Sequence, residues 1–275
     1  THGAVVPPIY LSTTFTFEEF GVPREFDYAR RGNPTRSALA AAVAALEGAA
    51  GAVITASGMG AITTVLAALL QPGQVLVAPH DCYGGSWRLF DALARKGHFE
   101  LVLADLTDPE VAEQAIREHG PTVLWVETPS NPLLRISDVS ALAALGHAVG
   151  ATVVVDNTFC TPLGQRPLEL GADLVVHSAT KYLAGHSDVV SGAVVCSTEA
   201  QAEDLAWWAN CLGVTGGAFD CYLALRGLRS LHARMAVHES NAAQIVTLLT
   251  DHPAVTAVRH ASLASHPGHE LAARQ

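Results

Sequence analysis

The sequence lacks several features that would assign it at once to a large class of proteins. Only 15% of its 275 residues are charged, and Asp and Glu (26) outnumber Lys and Arg (16), giving a formal net charge of -10. No run of Lys or Arg could follow a phosphate backbone, so nucleic acid is not expected as a partner. The longest strongly apolar stretch, residues 61–70, is shorter than the ~20 residues needed to cross a bilayer, which predicts no membrane span.

Cysteine motifs, targeting signals and common catalytic motifs are also missing. The five cysteines are scattered without a C-x-x-C pair, so neither a disulfide framework nor a zinc knuckle is predicted. The amino terminus has no basic segment followed by an apolar one, so the cytoplasm is the expected location. The segment HPGHE (266–270) fits neither zinc-protease motif and G-x-S-x-G is absent, so neither a metal site nor a serine-hydrolase elbow is predicted.

The sequence does contain an alternation of short apolar runs and helix-like segments. Segments such as 36–48 and 138–150 carry apolar residues at helical spacing and end in glycine. Strands that are apolar on both faces and alternate with helices predict an α/β fold, with a mostly parallel seven-stranded sheet sandwiched by helices. From about residue 200 onward, only helices are predicted. The seven predicted strands are 51–58, 74–81, 100–106, 122–132, 151–159, 173–180 and 192–197.

Chemically reactive side chains follow several of these strands. The carboxyl ends of parallel strands share one edge of a sheet, and ligands bind at that edge. A buried lysine, a carboxylate, an aromatic ring and anion-binding groups at these ends best match pyridoxal phosphate (PLP), held on the lysine as a Schiff base. The groups at the strand ends are Ser57–Gly60, Asp81–Tyr83, Glu127–Asn131, Asp156–Thr158 and His177–Lys181.

Each group has a physical role in this interpretation. Lys181 would carry the cofactor and move a substrate proton, Asp156 would pair with the pyridine nitrogen, and Tyr83 would stack on the ring. Taken singly, these residues have simpler explanations as a surface lysine, a helix cap and a core aromatic, and only their joint occurrence favours a cofactor site. Hydroxyl and peptide N–H donors would hold the phosphate: Gly58, Met59, Ser178 and Thr180.

A dinucleotide site is the alternative from another class of enzymes. Gly58 and Gly60 follow a predicted strand and open a helix, and Asp81 stands near the acidic position of that fingerprint. Thr63 replaces the third glycine, however, and a nicotinamide dehydrogenase would leave Lys181 without a role. The sequence therefore favours PLP.

Six ordered blocks of the sequence resemble one protein family. They are YARRGNPTR (28–36), SGMGAI (57–62), DCYGGSWRLF (81–90), ETPSNPLLRISD (127–138), VVDNTF (154–159) and HSATKYLAGHSDVVSG (177–192). Over essentially the whole chain they are similar to the Cys/Met-metabolism family of PLP-dependent enzymes, fold type I. FDYARRGNPT (26–35) and above all residues 205–231 resemble most the members that replace the γ-acyloxy group of O-succinyl- or O-acetyl-homoserine with the sulfur of cysteine, giving cystathionine.

The resemblance implies further site residues and an assembly. Tyr28 and Arg30 would reach into the site of a neighbouring subunit, where Arg30 holds phosphate and Tyr28 assists the chemistry. Asn131 would contact the ring hydroxyl or the substrate carboxylate, and Ser130 would bind substrate beside it. Asp27 would place the incoming cysteine. A homotetramer built of two dimers is implied, with small amino acids as substrates.

The resemblance also implies the domain organisation. Residues 1–35 would form an N-terminal arm, 36–235 the PLP-binding α/β domain, and 236–275 the start of a C-terminal domain. Family members continue beyond this point into a region that carries an arginine for the substrate α-carboxylate, so we expect that the rest of this domain is missing here. The γ-lyases and sulfhydrylases of the family stay open as alternatives, as does an inactive cofactor-binding fragment.

Overall fold

The computed structural model describes residues 3–275, in which the strands form one seven-stranded sheet. The strand order is β1-β7-β6-β5-β4-β2-β3. Neighbouring strands from β6 to β3 pair in parallel, whereas β7 is antiparallel to both β1 and β6, so six strands point the same way. The predicted mostly parallel sheet is confirmed. Its strands are β1 (Gly51–Thr55), β2 (Val75–Pro79), β3 (Glu100–Ala104), β4 (Val123–Glu127), β5 (Thr152–Asp156), β6 (Leu174–His177) and β7 (Gly192–Cys196).

The helices begin and end where local sequence signals place them. The side chains of Asn33 and Asp108 accept hydrogen bonds from the first N–H groups of two helices, which both start with proline. The same two helices end at Gly48 and Gly120, whose φ angles of 69° and 51° lie in the left-handed region. Among the described residues the α-helices are α1 (Pro34–Glu47), α2 (Gly58–Leu69), α3 (Gly84–Arg95), α4 (Pro109–His119), α5 (Val139–Ala148), α6 (Thr161–Gly164), α7 (Glu199–Leu212), α8 (Ala218–Leu228), α9 (Leu231–Thr250) and α10 (His269–Arg274), and Pro167–Leu170 form a 3-10 helix.

Apolar side chains bury both faces of the sheet. Along β5, Val154 packs on the face covered by α2, α3 and α7, whereas Val153 and Val155 pack on the opposite face against α4 and α5. On the first face Phe90 meets Trp125 edge to face, with ring centroids 5.4 Å apart. Burial on both faces explains why the strands read as continuous apolar runs, and it leaves only the strand ends for polar chemistry.

The amino-terminal arm is tied to the start of α1. Tyr10 donates its N–H to Thr35 Oγ1 (2.9 Å), and Asn33 Nδ2 donates to the carbonyl of Tyr10 (2.8 Å). Residues 1 and 2 of the predicted arm lie outside the described residues. The predicted boundary between residues 235 and 236 falls inside α9, and the domain division stays a prediction. No helix in the described part of the chain has the length and hydropathy to cross a membrane.

Candidate active site

A cavity of about 320 Å³ opens at the carboxyl edge of the sheet. Its lining comes from the ends of β4, β5 and β6 and from the first residues of α2 and the residue before α3. Because these strands are parallel, side chains far apart in sequence meet at this edge. Eight of the twelve sequence-predicted site residues line it: Gly58, Met59, Tyr83, Asn131, Asp156, Ser178, Thr180 and Lys181.

Lys181 is exposed, which corrects the sequence-based expectation of a buried lysine. The residue lies in the turn after β6 and lines both this cavity and an adjoining one, so its side chain borders open space. Its backbone is nevertheless fixed, because its N–H donates to the Ser178 carbonyl (3.0 Å) and its own carbonyl accepts from the Gly185 N–H (2.9 Å). The amine is therefore accessible on a rigid support, as a nucleophile requires.

Asp156, at the end of β5, has a carboxylate that is oriented by Thr158. Its Oδ1 accepts from the Thr158 N–H (3.0 Å) and from the Thr158 hydroxyl (2.6 Å), and the same hydroxyl oxygen accepts from the Ser178 N–H (2.9 Å). Burial raises the pKa of Asp156, and the hydrogen bonds from Thr158 oppose that shift. Sequence reasoning assigned no role to Thr158, although the Asp-x-Thr order after a strand is typical of a side-chain-capped turn.

Glu127 faces Asp156 across two neighbouring strands. The two residues are register partners at the ends of β4 and β5. Burial, followed by the negative charge of Asp156, raises the pKa of Glu127 to about 8. Neither carboxylate makes a salt bridge with a described residue. Two uncompensated acidic groups therefore border the cavity, where a positively charged group would be stabilised.

The start of α2 provides an anion-binding geometry. Ser57 Oγ accepts from the Gly60 N–H (3.0 Å), while the N–H groups of Gly58 and Met59 have no partner among the described residues. A Cβ atom on Gly58 would lie 2.9 Å from the Ser178 Cβ, so only glycine lets α2 approach β6 this closely. Two free peptide donors at a helix start, beside a serine hydroxyl, fit a phosphate group.

Thr180 lines the cavity, but both of its hydrogen-bond donors already bond to another residue of the chain. Its hydroxyl and its N–H both donate to the Ser191 carbonyl (3.1 Å each), and the hydroxyl oxygen accepts from the Ser191 N–H (3.0 Å). These bonds fasten the loop that carries Lys181 to the start of β7. A role of Thr180 as a phosphate donor stays a prediction, since it requires the hydroxyl to turn away from Ser191.

Ser130 does not line the cavity. It is 2% exposed and donates its hydroxyl to Asp81 Oδ2 (2.7 Å), and its Oγ accepts from the Arg135 N–H (3.3 Å). In this arrangement Ser130 shapes the loop that presents Asn131. Asp81, the acidic residue of the dinucleotide alternative, accepts this hydrogen bond and so holds the same loop in place.

The three candidate residues of the arm also lie away from the cavity of their own chain. The Arg30 guanidinium lies 5.5 Å from the centre of the Tyr28 ring and donates to the Asn210 carbonyl (2.5 Å). Asp27 accepts from the Tyr28 N–H (2.6 Å), and the hydrogen bond from Arg31 (2.8 Å) lowers the pKa of Asp27. Their roles in a neighbouring subunit stay predictions.

The residues at the cavity fit PLP in chemistry and in position. Unpaired peptide donors suit its phosphate, the accessible Lys181 amine suits its aldehyde, and the Asp156 carboxylate suits its pyridine nitrogen. Tyr83 is half-exposed at the cavity wall, with an aromatic face available for a ring.

Comparison with known proteins agrees with this assignment. The sequence profile of the family described as "Cys/Met metabolism PLP-dependent enzyme" matches residues 1–275. The chain is 54% identical over 274 residues to cystathionine gamma-synthase of Escherichia coli (strain K12), covering 100% of this chain and 71% of that protein. It is 44% identical over 274 residues to cystathionine gamma-lyase of Dictyostelium discoideum, covering 99% of this chain and 70% of that protein.

A solved structure extends the similarity to three dimensions. The crystal structure of cystathionine gamma synthase from Xanthomonas oryzae pv. oryzae in complex with cystathionine superposes with a TM-score of 0.98 at 58% identity, covering 100% of this chain and 70% of that one. The chain is thus cystathionine gamma-synthase-like, and it belongs to the Cys/Met metabolism family of PLP-dependent enzymes, whose cofactor is pyridoxal 5'-phosphate.

Proposed function

We propose that the chain exchanges the γ-acyloxy group of an O-acyl-L-homoserine for the sulfur of L-cysteine, giving cystathionine and a free carboxylate. The observation that supports this proposal best is that Lys181, Asp156 and Tyr83 line the same cavity. The chain that places them there is 54% identical to a cystathionine gamma-synthase over 274 residues. The Xanthomonas oryzae relative, which was crystallised with cystathionine, supports the same product.

PLP, when bound, supplies an electron sink that stabilises negative charge on the substrate carbon skeleton. The residues of this chain hold and orient the reacting atoms. Asp156, oriented by Thr158, would keep the pyridine nitrogen protonated, and Lys181 would hold the cofactor in the absence of substrate. The freed Lys181 amine would take the proton from the substrate Cα and return a proton at the end of the reaction.

The roles proposed for the arm require a second copy of the chain. Tyr28 and Arg30 would complete the site of a neighbouring subunit, and Asp27 would place the incoming cysteine there. Apolar side chains of the arm support such packing, because Val5, Leu11 and Phe20 are strongly exposed in the single chain. We propose a homotetramer of two dimers with sites shared inside each dimer.

Lysine labelling tests the cofactor assignment directly. The chain has two lysines, Lys181 in the cavity and Lys96 at the exposed end of α3. Borohydride reduction with PLP, followed by peptide mass spectrometry, should add the cofactor to Lys181 alone. K181A should lose the label and at least about 1000-fold in turnover, whereas K96A should keep both. Labelling of Lys96 alone would refute the assignment.

A product assay tests the reaction. O-succinyl- and O-acetyl-homoserine are supplied with cysteine, with sulfide, or with neither. Cystathionine formed only with cysteine supports the proposal, whereas 2-oxobutanoate in all three arms indicates a γ-lyase and homocysteine with sulfide a sulfhydrylase. A yellow protein without any product indicates an inactive cofactor-binding chain.

Subunit mixing tests the shared site. R30A and K181A are each expected to be inactive, for different reasons. If Arg30 acts in the neighbouring site, a mixture of the two variants forms hybrid dimers that contain one site with both residues intact. Recovery of activity on mixing supports the shared site, and a mixture as inactive as its components contradicts it.

A further inference from the structure

Glu127 occupies a position that the proposed reaction does not use. It ends β4 at the cavity wall and is 6% exposed. Its two carboxylate oxygens accept from different segments: Oε2 from the Tyr83 N–H (2.8 Å) and Oε1 from the Asn131 N–H (3.3 Å). One carboxylate thus joins the backbones of two residues that line the cavity from separate loops.

The first of these loops depends on this contact for its position. Tyr83 precedes α3, and its side chain does not cap that helix. Its ring lies so close over Gly85 that a Cβ atom there would collide with it, so the ring position follows the local backbone. The Glu127 carboxylate fixes that backbone through the Tyr83 N–H, and the Tyr83 ring with it.

The second loop is fixed from both of its sides. The Ser130 hydroxyl donates to Asp81, and the Asn131 N–H donates to Glu127. The peptide bond that joins Ser130 and Asn131 is therefore held on both sides. A glutamine at position 127 would have one acceptor oxygen, and its amide group would face a second N–H donor. Only the deprotonated carboxylate accepts from both loops at once; it prevails above the raised pKa of Glu127 of about 8, and a cation in the cavity favours it as well.

We infer that Glu127 is a positioning residue: it fixes the Tyr83 ring and the Asn131 loop relative to each other, so that the cofactor ring binds between them in a single orientation. This inference depends on the proposed function, because it takes PLP as the group bound there. The adjacent Asp156 adds to the effect, since its charge favours the same cationic ring.

The test compares E127Q with a matched control at Asp108. The Asp108 carboxylate also accepts from two backbone N–H groups, those of Glu110 (3.0 Å) and Val111 (3.2 Å), but it caps α4 and does not line the cavity. At a pH above the Glu127 pKa of about 8, where the side chain is a carboxylate, apo protein is titrated with PLP to obtain Kd, and the induced circular dichroism per bound cofactor reports how firmly the ring is oriented. Denaturant unfolding of the apo forms reports the fold.

We expect E127Q to bind PLP about ten-fold more weakly, with a smaller circular dichroism signal per bound cofactor, and D108N to match the wild type in both. E127Q with unchanged Kd and dichroism overturns the inference, as do equal losses in E127Q and D108N, which would indicate a general effect on the fold. Where E127Q does not fold, E127D replaces it: this variant keeps the charge and shortens the reach, and the same losses are expected. A wild type that binds no PLP overturns the proposed function as well, which a defect specific to E127Q does not.

Discussion

Two buried acidic groups at strand or helix ends have opposite surroundings. Glu47, at the end of α1, lies 2.6 Å from the Nε2 atom of His177 on β6, and both side chains are fully buried. Glu127 on β4 faces Asp156 on β5 at the open cavity. Glu47 has a basic partner inside the chain, whereas Glu127 has a second acidic group beside it, which disfavours its negative charge. A pair of acidic groups that has no cationic partner within the fold therefore marks the place where a cationic ligand group binds.

The enclosed pair, Glu47 and His177, stabilises the backbone that carries the cavity residues. Glu47 Oε1 also accepts from Asn157 Nδ2 (3.0 Å), and Asn157 Oδ1 accepts from Gln165 Nε2 (3.0 Å). Asn157 directly follows Asp156 in the sequence, and His177 directly precedes Ser178. The network therefore ties the ends of β5 and β6 to α1, and it fixes the backbone from which the cavity residues project.

The largest expected effect comes from breaking the enclosed pair. E47A leaves His177 and part of the Asn157 amide unpartnered in a closed interior, which should lower the free energy of unfolding by about 3–5 kcal/mol. Urea unfolding of the apo protein measures it. The double variant E47L/H177L replaces the pair with apolar groups and should recover much of the loss. A double variant that is no more stable than E47A would show that the pair itself contributes little.

The next effect is a loss of activity without a loss of stability. D156N removes the charge that would hold the pyridine nitrogen protonated, so kcat should fall about 100-fold. The repulsion with Glu127 disappears at the same time, so the apo protein should unfold at the same or a higher urea concentration. D173N is the control, because Asp173 lies at the opposite edge of the sheet and accepts from the Val153 N–H (2.7 Å). Equal falls in kcat for both variants would contradict the assignment.

Glu127 and Asp156 at the cavity also predict that the stability of the apo protein depends on pH. The pKa of Glu127 rises from 4.5 to about 8 on folding, so between these values the folded apo protein holds a proton that the unfolded chain has released. Stability should therefore fall as pH rises through this window, with Glu127 contributing up to about 1.4 kcal/mol per pH unit. Denaturant midpoints across the window measure the slope. E127Q should flatten it, and D156N should move it to lower pH; a slope unchanged in E127Q would contradict the prediction.

The local sequence pattern was sufficient for the strands and for most residues of the cavity. Each strand is a short apolar run followed by a polar turn, so a parallel sheet alone brings Asp156 and Lys181 to one edge. The reversed direction of β7 could not be predicted, because the run GAVVC has no direction of its own and depends on how residues 178–191 return.

Long-range pairs were beyond sequence reasoning for a different reason. Glu47 stands at the polar end of an amphipathic helix, where a glutamate is normally solvated, and its partner His177 is 130 residues further along the chain. The exposure of Lys181 was missed because the strand before it is buried, and burial was extended one turn too far. Ser130 was placed with the substrate because of its neighbour Asn131, whereas its side chain turns to Asp81.

The smallest effects concern ion pairs on the surface, where a change in function can be separated from a change in stability. Arg117 and Glu113 (2.7 Å) and Arg31 and Asp27 (2.8 Å) have the same i,i+4 spacing, with both arginines largely exposed. Solvent and salt screen such pairs, so R117A should change the free energy of unfolding by less than about 0.5 kcal/mol, and R31A should leave the stability nearly unchanged.

The two variants should differ only in the assay for cystathionine. Arg31 holds the carboxylate of Asp27, which we propose to place the incoming cysteine, whereas Glu113 lies on α4 away from the cavity. R31A should raise KM for cysteine several-fold and leave KM for the O-acylhomoserine unchanged, while R117A should change neither. A KM for cysteine that is the same in both variants would remove Asp27 from the site, because its orientation by Arg31 would then have no consequence for the second substrate.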